Sequence, residues 1–281
     1  MTLLAAPTPL AAPVIDTHTH LNLHDRYLHG EQVPDAETLL ELAASVGVTR
    51  IVQIGCDVEY AKHSIEVARQ HPEVVVGVSV HPNDAARIAE RDGRPALDAA
   101  LDEIAGLAED PVVRAIGETG LDYYRTTPEG HEVQQHAFRR HIAIAKDTGK
   151  TLVIHDRDAH DDVFAVLEDA GAPERVIFHC FSGDAAMAER CAERGWYMSF
   201  AGQVTYKANA ELRAALAVVP DELLLVETDA PYLTPVPHRG KANASYLMPH
   251  TVRFMAQERG VDEAVLCELL FANAQRAFGA W

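Results

Sequence analysis

The sequence predicts a (β/α)8 barrel, and three observations carry that reading. Short apolar runs rich in β-branched residues recur eight times along the 281 residues. Between them lie longer segments with Ala, Leu, Glu and Arg at helical spacing. Apolar residues make up 48% of the chain, enough to bury such strands on both faces. Strands that are apolar throughout, rather than alternating, belong to a parallel sheet covered by helices, and eight strand–helix units close naturally into one barrel. An open doubly wound sheet competes with this architecture. Against it, neither G-x-G-x-x-G nor G-x-x-x-x-G-K-[ST] follows the first strand.

The opening "MTLLAAPTPLAAP" is apolar, but prolines at 7, 9 and 13 interrupt it and no basic leader precedes it. A loose extension over 1–13 is therefore expected rather than a signal peptide, followed by one barrel domain over 14–281. The strands are expected at "VIDTH" (14–18), "RIVQIGC" (50–56), "VVVGVSV" (74–80) and "VVRAIGE" (112–118). The other four are "TLVIH" (151–155), "RVIFHC" (175–180), "WYMSFAG" (196–202) and "LLLVETD" (223–229). Helices fall between them at "DAETLLELAASVG", "EYAKHSIEVARQ", "EVQQHAFRRHIAIAKDTG" and "DAAMAERCAERG", and "TVRFMAQERG" and "DEAVLCELLFANAQRAF" close the chain. Several end at a glycine suited to a left-handed C-cap.

Charge restricts the function classes. Asp and Glu number 42 against 24 Lys and Arg, a formal net charge of −18. Tight duplex binders carry a basic face that displaces counterions from phosphates, so any grip on phosphate here must be local. Bound divalent cations offset part of such a field, and an anionic substrate stays compatible with the overall sign. Cys56, Cys180, Cys191 and Cys267 show no C-x-x-C spacing, which suits reduced thiols in a cytoplasm. No stretch approaches the roughly 20 apolar residues needed to span a bilayer, so a soluble protein without membrane contact is expected; the sequence leaves the oligomeric state open, with a monomer as the working expectation.

Ligand-type residues gather where a barrel carries its chemistry, at the C-terminal ends of strands. His18 and His20 end the first strand, Glu118 the fourth, His155 the fifth, His179 the sixth and Asp229 the eighth. Residues two apart on a strand point the same way, so His18 and His20 share a face that a single cation can bridge. Taken singly, each residue has a plainer reading: a hydrogen-bonded boundary histidine, a helix-entry glutamate, or an aspartate capping the turn before Pro231. Taken together, four imidazoles and two carboxylates exceed what a closed structural zinc site needs. They suit two divalent ions bridged by a carboxylate, with zinc, manganese, cobalt and magnesium all compatible with the donors.

The residues that carry a family resemblance are "IDTHTHL", "VHP" (80–82), "IGETGLDYYR" (116–125), "IHDRDA" (154–159), "HCFSG" (179–183), "VTYK" (204–207) and "ETDAPYLTPVPHRGKAN" (227–243). As an ordered set, from about residue 14 to 280, they make the chain resemble the TatD family of metal-dependent deoxyribonucleases, in the amidohydrolase-like superfamily. The resemblance implies that His18, His20, Glu118 and Asp229 surround one ion and that Glu118 bridges to a second ion held by His155 and His179. Where many related amidohydrolases use a carboxylated lysine on the fourth strand, this chain has Glu118. The family often continues after RGK and Asn with a Glu-Pro pair, whereas this chain has Ala244 and Ser245, so substrate contacts by that loop do not carry over.

The resemblance also implies DNA as substrate, cleaved at single-stranded or 3′ ends, with Asp229 and Glu118 as catalytic groups. Arg157, His81, Arg239 and Lys241 are the candidate substrate contacts; a salt bridge, an orienting role in the "HP" turn and a solvated loop are their plainer readings. Tyr123, Tyr124 and Tyr206 are either stacking platforms for bases or packing. The competing enzyme reading is hydrolysis of small esters, lactones or amides at the same site. A barrel kept only as a scaffold would have lost one or more ligand positions, and all six are present.

Overall fold

The computed structural model describes residues 3–21 and 34–281, so the first two residues of the expected extension lie outside the described residues. The strands are β1 (Val14–Thr19), β2 (Val48–Gly55), β3 (Val74–Val78), β4 (Val113–Asp122), β5 (Thr151–Arg157), β6 (Val176–Phe178), β7 (Tyr197–Phe200) and β8 (Leu224–Val226). The helices are α1 (Ala36–Ser45), α2 (Val58–Gln70), α3 (Pro82–Asp92), α4 (Arg94–Leu107), α5 (Pro128–Thr148), α6 (His160–Ala170), α7 (Ala185–Ala192), α8 (Ala210–Val218), α9 (Met248–Arg259) and α10 (Glu263–Phe278). The sheet runs in chain order from β1 to β8 with parallel pairing. This is the topology of the (β/α)8 barrel expected from the sequence.

Local signals set the helix ends. Asp35, Asp57 and Asp184 cap α1, α2 and α7, each side chain accepting from the backbone N–H of Thr38, Tyr60 or Met187. Gly149 and Gly260 end α5 and α9 in the left-handed conformation, where a side chain would be strained.

The chain divides into two compact units, residues 1–53 with 183–276 and residues 54–182 with 277–281. In the first, every residue of β1 is buried, and β1 is joined both to β2 and to the segment after β8. The Asp229 N–H donates to the His18 carbonyl and the His20 N–H to the Ala230 carbonyl, both at 2.9 Å. The N-terminal segment is hydrogen-bonded: the Leu4 N–H donates to the Tyr246 hydroxyl at 2.8 Å, and Arg253 donates to the Thr8 and Pro9 carbonyls. No helix among the described residues is long and apolar enough to cross a membrane.

In the second unit β4 pairs with β5 as far as Asp122 and Arg157. Two glycines allow this close approach, because a Cβ at Gly117 would lie 2.4 Å from the Val153 carbonyl oxygen and one at Gly120 2.2 Å from that of His155. Phe164 of α6 stacks on Phe178 of β6 with ring centroids 5.6 Å apart, and both are fully buried. Truncating a ring so placed costs roughly 3–5 kcal/mol.

Strand ends differ from the sequence reading. Glu118 and His155 do not close β4 and β5 but lie inside them, since those strands continue to Asp122 and Arg157. His179 and Asp229 lie beyond β6 and β8, which stop at Phe178 and Val226. The longer strands continue because "TGLD" and "DR" still pair across the ladder although they are no longer apolar runs.

Candidate metal centre

Each unit carries a set of ligand-type side chains in the C-terminal halves of its strands or just beyond them. In the first unit, His18 Nε2 stands 3.9 Å and His20 Nε2 3.5 Å from Asp229 Oδ1. Ordinary N–H···O bonds are about 2.7–3.2 Å, so this aspartate is held beside the imidazoles without closing onto either. A buried framework sets that geometry. Asp16, fully buried on β1, accepts from the Thr228 hydroxyl at 2.6 Å and from its N–H at 2.9 Å. Burial pushes the Asp16 carboxyl up to about 7, against the lowering effect of those hydrogen bonds. Thr17 donates to the Val226 carbonyl at 2.8 Å. Asn243, from the "RGKAN" loop, donates to the Thr228 and Tyr232 carbonyls at 3.0 and 2.7 Å and so staples the turn that carries Asp229. Asp229 itself has a φ of 52°, in the left-handed region.

The second unit is more tightly knit. Glu118 Oε2 is 2.7 Å from His179 Nε2, 3.2 Å from His155 Nδ1 and 3.9 Å from His81 Nε2. Its other oxygen accepts from the Cys56 thiol at 3.3 Å. Burial pushes the Glu118 carboxyl up, but the surrounding imidazoles outweigh it and hold the group well below the usual carboxylate range. His155 uses its second nitrogen too: Nε2 lies 3.2 Å from Asp122 Oδ2. Burial lowers the His155 pKa, and the two carboxylates reverse this, leaving it raised. Asp122 in turn accepts from Asn83 Nδ2 and the Arg125 N–H, both at 2.8 Å. His81 precedes α3 and caps it, its Nδ1 accepting from the Asn83 N–H at 3.1 Å. That leaves Nε2 to carry the proton on the side of Glu118, and burial pushes this imidazole down to about 3.

These residues fit a divalent cation. Glu118 Oε2 with His155 Nδ1 at 3.2 Å and His179 Nε2 at 2.7 Å offers one carboxylate and two imidazole donors, a set that suits zinc or a comparable ion. The arrangement in which a carboxylate holds the far nitrogen of a ligating histidine, as Asp122 holds His155, fixes the ring's orientation and tautomer.

The structure thus brings His18, His20 and Asp229 together in one unit and Glu118, His155, His179 and His81 in the other. Arg157 stacks its guanidinium 4.0 Å over the Tyr124 ring and has no carboxylate within ion-pair distance among the described residues. Arg239 lies 4.4 Å over Tyr206, whose hydroxyl donates to the Thr234 carbonyl. Lys241 is exposed in the same loop. Tyr123 is packing: it stacks on His131 at 3.5 Å and donates its hydroxyl to Asp162.

Three residues escaped the sequence reading. Asp122 sits four residues beyond Glu118, so the alternation of a longer β4 would have put both on one face. Asn83, one residue into the helix after "HP", reveals itself only by its contacts. His141 of α5 is fully buried, accepts from the Val80 N–H at Nε2 and contacts the Thr119 hydroxyl at Nδ1, tying the segment after β3 to the interior of β4.

The family model described as TatD related DNase matches residues 15–279. The chain is 42% identical over 273 residues to the uncharacterized metal-dependent hydrolase TatD of Mycobacterium tuberculosis, covering 95% of this chain and 98% of that one. It is 33% identical over 251 residues to the 3′-5′ ssDNA/RNA exonuclease TatD of Salmonella typhimurium, covering 87% and 93%. Among solved structures, the TatD homolog YJJV of Escherichia coli superposes with a TM-score of 0.84 over 95% of this chain and 98% of that one, at 24% identity. The phosphotriesterase homology protein of Escherichia coli, complexed with phosphate in its active site, gives a TM-score of 0.64 at 15% identity over 96% and 99%. At these identities the structural likeness shows the barrel fold.

Proposed function

The chain belongs to the family of TatD-related DNases and is a metal-dependent ester-bond hydrolase, and from that premise we propose that it removes nucleotides from single-stranded or frayed 3′ ends of DNA. The observation that carries the reading is the donor set around Glu118, with Arg157 two residues beyond its ligand His155 and lacking a carboxylate partner among the described residues. His18, His20 and Asp229 would hold one divalent ion, and Glu118, His155 and His179 another, with zinc, magnesium, manganese or cobalt as candidates. When bound, such ions lower the pKa of water and stabilise charge on the attacking and leaving oxygens.

The side chains take the remaining roles. Asp229 orients the attacking water and receives its proton on a carboxylate oxygen. His81, with Nδ1 already accepting from Asn83, presents Nε2–H as a donor to a phosphate or leaving-group oxygen. The edge of the Arg157 guanidinium pairs with a phosphate, a task its planar fork suits better than a lysine would. Arg239 and Lys241 add solvated contacts. The net charge of −18 makes this grip local and favours a chain end over a duplex interior, which would have to be bent to enter. Cys56, Cys180, Cys191 and Cys267 are thiols rather than disulfides, which supports a reducing compartment such as a cytoplasm.

Circular DNA and the same sequence linearised, each with saturating divalent metal, test the reading. The linear form is expected to be shortened and the circle to persist. Equal loss of the circle would mean an endonuclease, and turnover confined to a panel of esters, lactones and amides would replace nucleic acid with a small carbonyl substrate.

A further inference from the structure

Two adjacent tyrosines follow Asp122, and they have opposite surroundings. Tyr123 is spent within the protein, its ring on His131 and its hydroxyl shared by Asp162 and Gln135. Tyr124 is 65% exposed, the highest value for a large apolar side chain among the described residues. Single exposed apolar residues are common and mean little by themselves. What distinguishes Tyr124 is its company and its place. One ring face is covered by the Arg157 guanidinium at 4.0 Å, and the strand register fixes that pairing, with Asp122 opposite Arg157 and the Tyr123 N–H donating to the Arg157 carbonyl at 2.9 Å. Tyr124 lies two residues beyond Asp122 and Arg157 two residues beyond His155, on the side where Asp122 and His155 meet.

We propose that Tyr124 and Arg157 form a nucleotide subsite, in which the outer face of the ring stacks on a nucleobase while the guanidinium edge donates to a phosphate of the same strand. The inference deepens the nuclease reading and rests on it. A guanidinium stacked on an aromatic ring keeps its N–H edges free to donate, so phosphate binding and ring stacking do not compete. Every base has a π-face, and an exposed ring takes any of them, so the subsite binds a single strand with little sequence preference. Base pairing does not block a terminal base from stacking, but an internal base of a duplex has both faces covered by its neighbours. The subsite therefore selects ends and single strands.

Kinetics on oligonucleotides with either a normal or an abasic residue at the last two 3′ positions test this. For the normal substrate, Tyr124→Ala is expected to raise KM about tenfold, within the range for one stacked base, with kcat changed by less than about twofold. Tyr124→Phe, which keeps the ring, is expected to restore KM. The abasic substrate should show the high KM with wild type and variant alike. A KM rise of equal size on both substrates, or a fall in kcat alone, overturns the subsite. If the wild type cleaves no oligonucleotide with any metal restored, the nuclease reading fails. The subsite is then judged by binding alone: a 2-aminopurine at the 3′ end is expected to be quenched by wild type and Tyr124→Phe but not by Tyr124→Ala, and equal quenching by all three overturns it.

Discussion

In the first unit His18 and His20 stand 3.9 and 3.5 Å from the Asp229 carboxylate, whereas in the second His179 and His155 reach Glu118 at 2.7 and 3.2 Å. The second set holds itself together: its carboxylate is the shared partner of the imidazoles and of the Cys56 thiol, and Asp122 secures the far side of His155. The first set takes its position from groups behind it, Asp16 on Thr228 and Asn243 on the turn, all buried. The contrast shows two ways to preorganise ligand-type side chains. In one the ligands position each other, so losing one disturbs the rest; in the other the framework can be damaged while every ligand is still present.

The largest effect should come from breaking the self-supporting set at its centre. Glu118→Ala removes the acceptor that three imidazoles face, and its loss of turnover should exceed the roughly 10–100-fold typical of residues that only support a ligand. Metal content by elemental analysis should fall with turnover. A fully active Glu118→Ala protein would reject this site.

Next in size is the contrast between the two supports. Asp122→Asn should weaken metal affinity by about 10–100-fold in a chelator competition, because His155 loses the carboxylate that fixes its tautomer. Asp16→Ala should instead show itself in stability, costing about 1–3 kcal/mol in chemical unfolding, since both Thr228 donors lose their buried acceptor. If Asp122→Asn only destabilised the fold and left metal affinity unchanged, the division between the two sets would collapse.

Acid should act on the second unit through His141. Burial pushes this imidazole down to about 4, from an unfolded value of 6.5, so the folded state keeps it neutral while the unfolded chain protonates first. Its contribution to stability is therefore full above pH 6.5 and is lost as pH falls from 6.5 toward 4, by at most about 1.4 kcal/mol per pH unit. His141→Gln should flatten the pH dependence of the unfolding midpoint in that window. An unchanged slope would remove His141 from the account.

The smallest effect belongs to the basic loop of the first unit. Arg239→Ala and Lys241→Ala should each change KM only a few-fold, as partly solvated charges do. Removing either cation from its phosphate should also reduce the salt slope of single-strand binding by about 0.7. An effect as large as that of Glu118→Ala would move the recognition surface to this loop.

Much of this was legible in the amino-acid sequence, for a physical reason. Strand and helix periodicity is local, so eight apolar runs between helical segments announced the barrel topology, and His18, His20, Glu118, His155, His179 and Asp229 stood out as ligand-type side chains by residue type and place alone. Even the pairing of His18 with His20 follows from alternation along one strand. What the tertiary structure decided depends on partners distant in the chain. β4 continues to Asp122 because β5 accepts it, across glycines that only their closeness to Val153 and His155 explains. Asp122 supports His155 from 33 positions away, and His141 reaches Val80 from 61. Tyr123 and Tyr124 are the same residue type at adjacent positions, and only the tertiary packing gives them different surroundings, His131 and Asp162 on one, a guanidinium and open surface on the other.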